Sequence, residues 1–593
     1  MNNVIFILVD SVFSECIGTR RTKLSSTPFI DKLITEGVFA PSVYSYGPYT
    51  DAATRGLYCG NRTLDDYGYF FGLNSSSENH FKTFKDNNYE TIGLYYPYYL
   101  IGSKIEQNID HSIFIGGFVY KSEWGGKFNY YADKKKTESL SEQEYLLLEK
   151  HVDLMFDCWF NFYRILDSDP QSGSIVNGLA DDNEKKQCRD KLAGEYAHYL
   201  KNKTEYIDGI LSAGLNHSLS EVDEYNYDNA IDTQFLHEKV YGENKKFFSK
   251  LAKVEFTRNL KNNKINFIHA LKAKRCLANW VLTLGASKYS RYLSGKPGWQ
   301  YSASMYKQVN AAVDAIKSRS DKQKPFYLSL HTEEPHNYIA FFSYDVQDER
   351  VIKEELDYLE PLVNECGKEF SGSLTYQLSL RYVDLNIQRL FEKLQQIGEL
   401  EKTTILITAD HGSSYTFNPI RDVVVNNFYK ESYKTPLLIW KKNMGQEKGV
   451  YNGLYSAEDT LPTLLKIANL NVPEQYKGLP IISNKRGRDY VITEYMGPGV
   501  PDMITRAVWI SIRNKHYMIA FKNPINKEFN LKYCVEAYDL LKDEKELNNI
   551  NESMDFSDEE VSNLIEAVKC RFKEIQENTS AYLQALHDKR FIK

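Results

Sequence analysis

The chain predicts an α/β fold: a large, mostly parallel sheet sandwiched by helices, carrying a helical insertion and a small C-terminal antiparallel subdomain. Three observations lead there. Short apolar β-rich runs alternate with helical patterns over residues 1 to about 100, a rhythm that builds parallel sheets with helices on their faces. The same rhythm resumes at Pro325 and runs through a second set of apolar strands. From about residue 486 the pattern turns to closely spaced β-rich segments and a final helix, as expected of a small antiparallel sheet.

In chain order, the first part predicts a strand over 4–9, a helix from Pro28 to Glu36, a strand over 38–44, a helix from Thr54, a helix near 80–88 and a strand from Thr91 to Leu94. The second part predicts a strand over Pro325 to His331, a helix from Tyr376 to Gln396, and strands over 404–409 and Thr435 to Trp440. Between them, residues 115–320 are rich in Lys, Glu, Asn and Tyr, with helical periodicity in Glu142 to Leu166 and Phe247 to Thr283. Structureless connections longer than about 15 residues are uncommon in compact domains, so this block is expected to be a helical insertion. It would cap the site, form an oligomer surface or simply buttress the sheet. The catalytic domain is therefore drawn over 1–485, and the subdomain over 486–593 with strands at Tyr490 to Glu494, Ala507 to Arg513 and His516 to Phe521. A closing helix runs from Ser557, its expected N-cap, to Gln584.

With 593 residues, 42% of them apolar, the chain can bury a sizeable core, and its net charge of −6 offers no electrostatic footprint for nucleic acid. No run approaches the roughly 20 apolar residues that span a bilayer, and strand-like sequence begins too early for a secretion signal. The eight cysteines form no CxxC pair, which argues against zinc ribbons and disulfide frameworks alike. A cytoplasmic protein with no integral membrane segment is expected.

The chemistry centres on two strands that end in ligands. Residues Thr404 to Ala409 run into Asp410, His411 and Gly412, and Asn3 to Val9 run into Asp10 and Ser11. Sites in open α/β sheets form outside the strand tips, so these ends predict one divalent-cation site held by Asp10, Asp410 and His411. Between them lies Tyr46-Gly47-Pro48-Tyr49-Thr50, a turn followed by small residues that permit a helix start. A hydroxyl at a helix N-terminus faces unpaired N–H groups that favour an oxyanion, and a bound cation favours its alkoxide, which makes Thr50 the nucleophile candidate and a fourth metal contact. The bland alternative for Thr50 is an ordinary helix cap.

Asn3 to Ser11, Thr27 to Leu33, Gly47 to Gly60, Ala409 to Gly412, Asp459 to Leu465, and Ala537 to Glu546 beside Asn548 together resemble the sulfatase-like branch of the alkaline phosphatase superfamily in order and spacing. The similarity covers roughly 1–100 and 325–555. It implies a metal on Asp10, Asp410 and His411 and a covalent intermediate on Thr50. The chain departs from true sulfatases in having Thr50 where they place a cysteine or serine that is converted to formylglycine. Arg55 falls one residue later than their arginine, and Ser11 stands where they tend to have a second Asp. Thr50 instead resembles the phosphodiesterase and the phosphoethanolamine or phosphoglycerol transferase members. That resemblance implies Zn²⁺ or Mn²⁺, with Ca²⁺ or Mg²⁺ as alternatives, and cleavage of a P–O bond. His331 and His336 are then expected to stabilise charge or protonate the leaving oxygen, with Glu333 or Glu334 candidates for a second metal. Arg55 is a candidate for a phosphoryl oxygen and Lys434 for substrate contact.

The expected function is metal-dependent hydrolysis or transfer of a small-molecule or glycan phosphate ester through phospho-threonine. The rivals are a sulfuric ester hydrolase, a phosphoethanolamine or phosphoglycerol transferase acting on a surface glycan, and an inactive scaffold whose insertion binds a partner or a second copy of the chain.

Overall fold

The computed structural model describes residues 2–18, 24–65, 76–95, 103–114, 134–168, 182–212, 305–332, 334–336, 374–413, 428–497 and 506–587, with 68, 73, 131, 132 and 503. The segment Phe247 to Thr283 expected to be helical and Glu333 lie outside these. Strands β1 (Asn3–Val9), β2 (Val38–Tyr44), β3 (Glu90–Tyr95), β4 (His111–Phe114), β5 (Phe326–Thr332), β6 (Thr403–Ala409), β7 (Lys434–Trp440), β8 (Gly449–Val450) and β9 (Tyr455–Ser456) form one sheet. Its order is β4-β3-β5-β1-β6-β7-β2-β8, with β9 paired to β2. All pairings are parallel except those of β7 with β6 and β2. The sheet is thus mostly parallel, as its sequence predicts. The antiparallel sense of β7 is not written in Thr435 to Trp440, because a buried strand reads the same in either direction.

β1 is central because every residue of Asn3–Val9 is buried, so both of its edges need a neighbour. It receives β5 on one side, in register Val9↔Thr332, and β6 on the other, in register Val9↔Ala409. Helices α1 (Pro28–Glu36), α7 (Met305–Ser318) and α8 (Leu374–Gln396) pack together against this sheet, and α2 (Thr50–Cys59) and α3 (His80–Asp86) also cover it. The residues 305–318 that the sequence assigns to the insertion therefore belong to the sheet layer: Val309, Ala312, Val313 and Ile316 face its core.

The described insertion helices, α4 (Glu142–Ser168), α5 (Asp182–Lys201) and α6 (Lys203–Ser212), do buttress the structure, but not at the large sheet. Leu147, Val152, Phe156, Tyr199 and Ile207 share one apolar cluster with Ile510, Phe521, Val568 and Phe572 of the C-terminal part. That part is a four-stranded antiparallel sheet of β10 (Val491–Tyr495), β11 (Ala507–Arg513), β12 (Tyr517–Pro524) and β13 (Cys534–Asp539), packed with a final helix over Glu559–His587. β13 went unread because only Ala537 and Tyr538 of it are buried and its apolar alternation is weak. The expected cap Ser557 is displaced by Asp558, whose carboxylate accepts from Val561 N at 3.1 Å, while Ser557 Oγ donates to Asp555. No helix of the described residues is long and apolar enough to cross a membrane.

Helix α1 lacks a cap of its own, since the Thr27 side chain makes no capping bond. Asp384 of α8 fills that place from across the layer, accepting Phe29 N at 3.1 Å and Ile30 N at 2.7 Å, while Arg381 Nη1 donates to it at 3.0 Å. Removing a buried acceptor strands its donors at a cost of about 1–3 kcal/mol. Asp384→Ala is therefore expected to lower the unfolding free energy by that amount, read in equilibrium denaturation as a lower urea midpoint at unchanged slope.

Candidate metal centre and nucleophile

The pairing of β1 with β6 carries the two carboxylates together. Because the strands are parallel and in register to Val9↔Ala409, the next residue on each, Asp10 and Asp410, leaves the sheet side by side although 400 positions separate them. Ser11 follows with φ +62°, in the left-handed region that a serine rarely adopts. The turn is secured from three directions. Ser11 N donates to Asp410 Oδ1 at 3.0 Å, Ser11 Oγ donates to Asp10 Oδ1 at 2.6 Å, and the Tyr376 hydroxyl donates to Ser11 O at 2.8 Å while accepting Phe13 N at 3.2 Å.

His411 is oriented by its own next residue. Its Nδ1 lies 2.6 Å from Gly412 O, and a carbonyl can only accept, so Nδ1 carries the proton and Nε2 presents a lone pair. That Nε2 sits 3.6 Å from both Asp10 Oδ1 and Asp410 Oδ2. Gly412 has to be glycine, for a Cβ there would stand 1.9 Å from Glu431 O, and its N–H donates to Ser432 O at 2.9 Å. The ligand atoms of Asp10, Asp410 and His411 all fall within 4.8 Å of one another, and all three residues are buried.

Thr50 is the first residue of α2, three positions beyond Gly47, whose missing side chain lets the turn lie against Ala52. Its Oγ1 is 3.2 Å from Asp10 Oδ2 and 3.3 Å from His411 Nε2. Both neighbours are acceptors and a hydroxyl has one proton, so at most one of these contacts is a hydrogen bond at a time. The Asp410 Oδ2 atom is buried with no hydrogen-bond partner. Two buried carboxylates, one of them with an orphaned oxygen, and an imidazole lone pair aimed at both form an acceptor-only set that fits a divalent cation. Burial and the neighbouring Asp10 hold the Asp410 carboxyl above its ordinary range, which is the free-energy cost a bound cation would relieve.

The other expected residues divide. His331, near the tip of β5, comes within 3.8 Å of Asp10 Oδ2 through Nε2. Burial pushes its pKa down to about 4, with His411 and His336 adding to the fall against the opposing pull of Asp410. It is a neutral imidazole at neutral pH, suited to hydrogen bonding rather than to giving up a proton from a charged ring. His336 lies exposed in the turn beyond β5, close enough for its charge to act on His331. Glu334 is directed elsewhere: its Oε1 accepts Met305 N at 2.6 Å at the start of α7.

Arg55 corrects an expectation. Its side chain is buried, and Nη1 donates to the carbonyls of Thr63 and Gly68 at 3.4 and 3.2 Å and to that of Asp65, clasping the loop after α2. Coming five positions after Thr50, it is turned away from the face of α2 that a residue four positions on would share. Lys434, at the start of β7, bonds Glu15 at 3.0 Å, with Lys430 Nζ 3.7 Å from the same carboxylate. Sequence reasoning singled out neither Tyr376 nor Glu15; a lone Tyr in a helical pattern reads as core, and Glu15 follows no motif.

Parts of the chain are similar to known proteins. A family profile described as Sulfatase matches residues 221–470, and one described as N-sulphoglucosamine sulphohydrolase, C-terminal, matches 426–578. Over 221–578 the chain is thus similar to the sulfatase family. It is 23% identical over 291 residues to an arylsulfatase of Clostridium perfringens, covering 44% of this chain and 56% of that protein. It is 26% identical over 331 residues to the N-acetylglucosamine-6-sulfatase of Bos taurus, covering 46% and 58%. The chain thus spans little more than half the length of these curated relatives. A solved Bacteroides fragilis structure described as a candidate sulfatase, yidJ, shares the fold with a TM-score of 0.52 at 13% identity over 98% of this chain and 97% of that one. The sulfatase profile begins at 221, so it also takes in part of the 115–320 insertion, which lies outside the stretches over which the resemblance was drawn.

Because Gly412 carries the carbonyl that orients His411, Gly412→Ala is expected to weaken divalent-cation binding by at least about tenfold, the usual effect of disturbing a ligand's supporting hydrogen bond. Isothermal titration with Zn²⁺ and Mn²⁺ measures it; unchanged affinity in the folded variant removes Gly412 from the centre.

Proposed function

We propose that this chain is a metal-dependent hydrolase that cleaves a phosphate ester through a covalent Thr50 intermediate. The observation that carries the reading is the placement of Thr50 Oγ1 at 3.2 and 3.3 Å from Asp10 and His411, at the first residue of a helix. A divalent cation held by Asp10, Asp410 and His411, of the Zn²⁺ or Mn²⁺ type, would supply the positive charge that favours a Thr50 alkoxide.

The residues then have distinct tasks. Thr50 gives up its hydroxyl proton, for which Asp10 Oδ2 is a carboxylate at 3.2 Å, and Oγ1 attacks phosphorus in line. A P–Oγ bond forms as the bond to the leaving oxygen breaks, and that oxygen takes a proton from His336 or from water. His331, neutral, offers a hydrogen bond to the phosphoryl group. Water next attacks phosphorus, the P–Oγ bond breaks, Thr50 recovers its proton and the phosphate product departs. An acceptor alcohol in place of water would make the same residues a phosphotransferase. The N–H groups at the start of α2 would favour the charge that develops on the phosphoryl oxygens. Substituting Thr50→Ala is expected to lower kcat by at least about 10³-fold while cation binding persists through Asp10, Asp410 and His411.

A second reading, sulfuric ester hydrolysis, is favoured by the names of the relatives above. Against it stands the chemistry of position 50. The threonine β-carbon bears a methyl group, so its oxidation cannot yield an aldehyde. Paired assays with an aryl sulfate, an aryl phosphate and a bis-aryl phosphate across Zn²⁺, Mn²⁺, Ca²⁺ and Mg²⁺ separate the two. The expected outcome is a kcat/KM for one of the phosphates at least about 100-fold above that for the sulfate, a difference of about 2.7 kcal/mol in transition-state binding. A preference for the sulfate, with an unmodified Thr50 by intact mass, overturns the phosphate reading. The substrates named for the relatives make a sugar ester a fitting candidate for either chemistry, and the protein's compartment is proposed to be the cytoplasm.

A further inference from the structure

The late motif Ala537 to Glu546 has no part in the chemistry described above, yet its last residue is buried and strained. Glu546 is 1% exposed and adopts φ +55°, left-handed backbone that a glutamate rarely takes. The segment after β13 is folded to hold it there. Glu546 N donates to Asp543 O at 3.0 Å, Asn548 N to Asp543 Oδ2 at 2.7 Å, and Ile550 N to Ala537 O at 2.8 Å, while Asn549 Oδ1 accepts Ala537 N at 2.9 Å.

From this loop the Glu546 carboxylate reaches two elements at once. Oε1 lies 2.7 Å from Arg513 Nη1 of β11, and Oε2 accepts Lys430 N at 3.1 Å. Lys430 opens a one-turn helix over Lys430–Tyr433, and its Nζ is held by Glu544 O at 2.8 Å. That turn is in contact with both halves of the candidate centre. Ser432 O accepts Gly412 N at 2.9 Å, Glu431 O closes over the Gly412 Cα, and Gly412 O receives His411 Nδ1. Tyr433 O accepts Ser45 N at 2.9 Å, and Ser45 Oγ donates to Gly47 O at 2.9 Å, just ahead of Thr50. An unbroken series of short polar contacts therefore runs from the C-terminal sheet to the imidazole that faces Asp10 and Asp410.

The geometry points to Glu546 as a positioning residue: by fixing the 430–433 turn from the C-terminal subdomain, it sets the carbonyl of Gly412 and so the direction of His411 Nε2. This rests on the reading of Asp10, Asp410 and His411 as a cation site. The subdomain is then part of the machinery that makes the site, with Glu546 held in its left-handed conformation while its carboxylate reaches Lys430 N.

The test is Mn²⁺ titration of the full chain, read by loss of the free-ion electron paramagnetic resonance signal, beside thermal unfolding of the metal-free protein. Glu546→Gln keeps size and one acceptor but removes the charge, and is expected to raise the Mn²⁺ Kd about tenfold or more. The same change in a His411→Ala background is expected to add no further loss, because its effect passes through that ring. A merely structural role would lower the melting temperature in both backgrounds and leave the affinities alone. Should Glu546→Gln fail to fold, Arg513→Met with Glu546→Gln replaces the buried pair by neutral groups and answers the same question. A folded variant that binds Mn²⁺ like the wild type, or an equal further loss in the His411→Ala background, overturns the inference alone. A wild type that takes up no Mn²⁺ overturns the cation site and the inference with it.

Discussion

The structure depends on one pairing: β1 lying parallel to β6 with Val9 beside Ala409. A parallel ladder has one register that keeps both buried faces aligned, and here every residue of both strands is buried. That register decides which two residues step off the sheet together. A slip of one position would put Val9 or Ser11 beside Asp410 and turn the strand's whole apolar set to the wrong face. The apolar core and the ligand geometry are therefore one constraint, and the strand that looks most like generic core, Val4 to Val9, is the one that aims the site.

Around that pairing the protein places two kinds of support. One kind is local: Ser11 held left-handed by Asp410 and Tyr376, and His411 held by the carbonyl of the residue after it. The other comes from far away in sequence, with Asp384 capping helix α1 and Arg55 gripping the loop beyond α2. Each satisfies buried polar groups that would otherwise stand unpaired at a cost of about 1–3 kcal/mol. Together they leave the acceptors of Asp10, Asp410 and His411 buried and facing one another, an arrangement unfavourable in itself that a cation would relieve.

Much of this was legible in the residues. Strand ends carrying Asp10, Asp410 and His411 stand out because an apolar run stops in polar groups, and Gly47-Pro48 announces the turn before Thr50. What was not legible depended on direction and distance. The reversed sense of β7 leaves no mark on a strand buried on both faces. Arg55 reads as a substrate arginine from the order of residues alone, but one extra residue on a helix rotates a side chain by about 100°, and that is the difference between facing phosphate and facing the carbonyls of Thr63 and Gly68. The attachment of the insertion helices to the C-terminal sheet, through Phe156 and Tyr199 among others, follows from matching surfaces that lie hundreds of residues apart.

The central position of β1 has a consequence for how the protein is made. Its two neighbours begin at Phe326 and Thr403, so a seven-residue segment, apolar in all but Asn3, emerges from the ribosome with both edges bare. Synthesis at about 5–20 residues per second leaves it waiting on the order of half a minute before β5 exists to pair with it. During that interval the segment is an open template for other strands, and a cell producing this protein has to shelter it, which makes holdase chaperones natural companions of its biogenesis and over-rapid expression a direct route to aggregates.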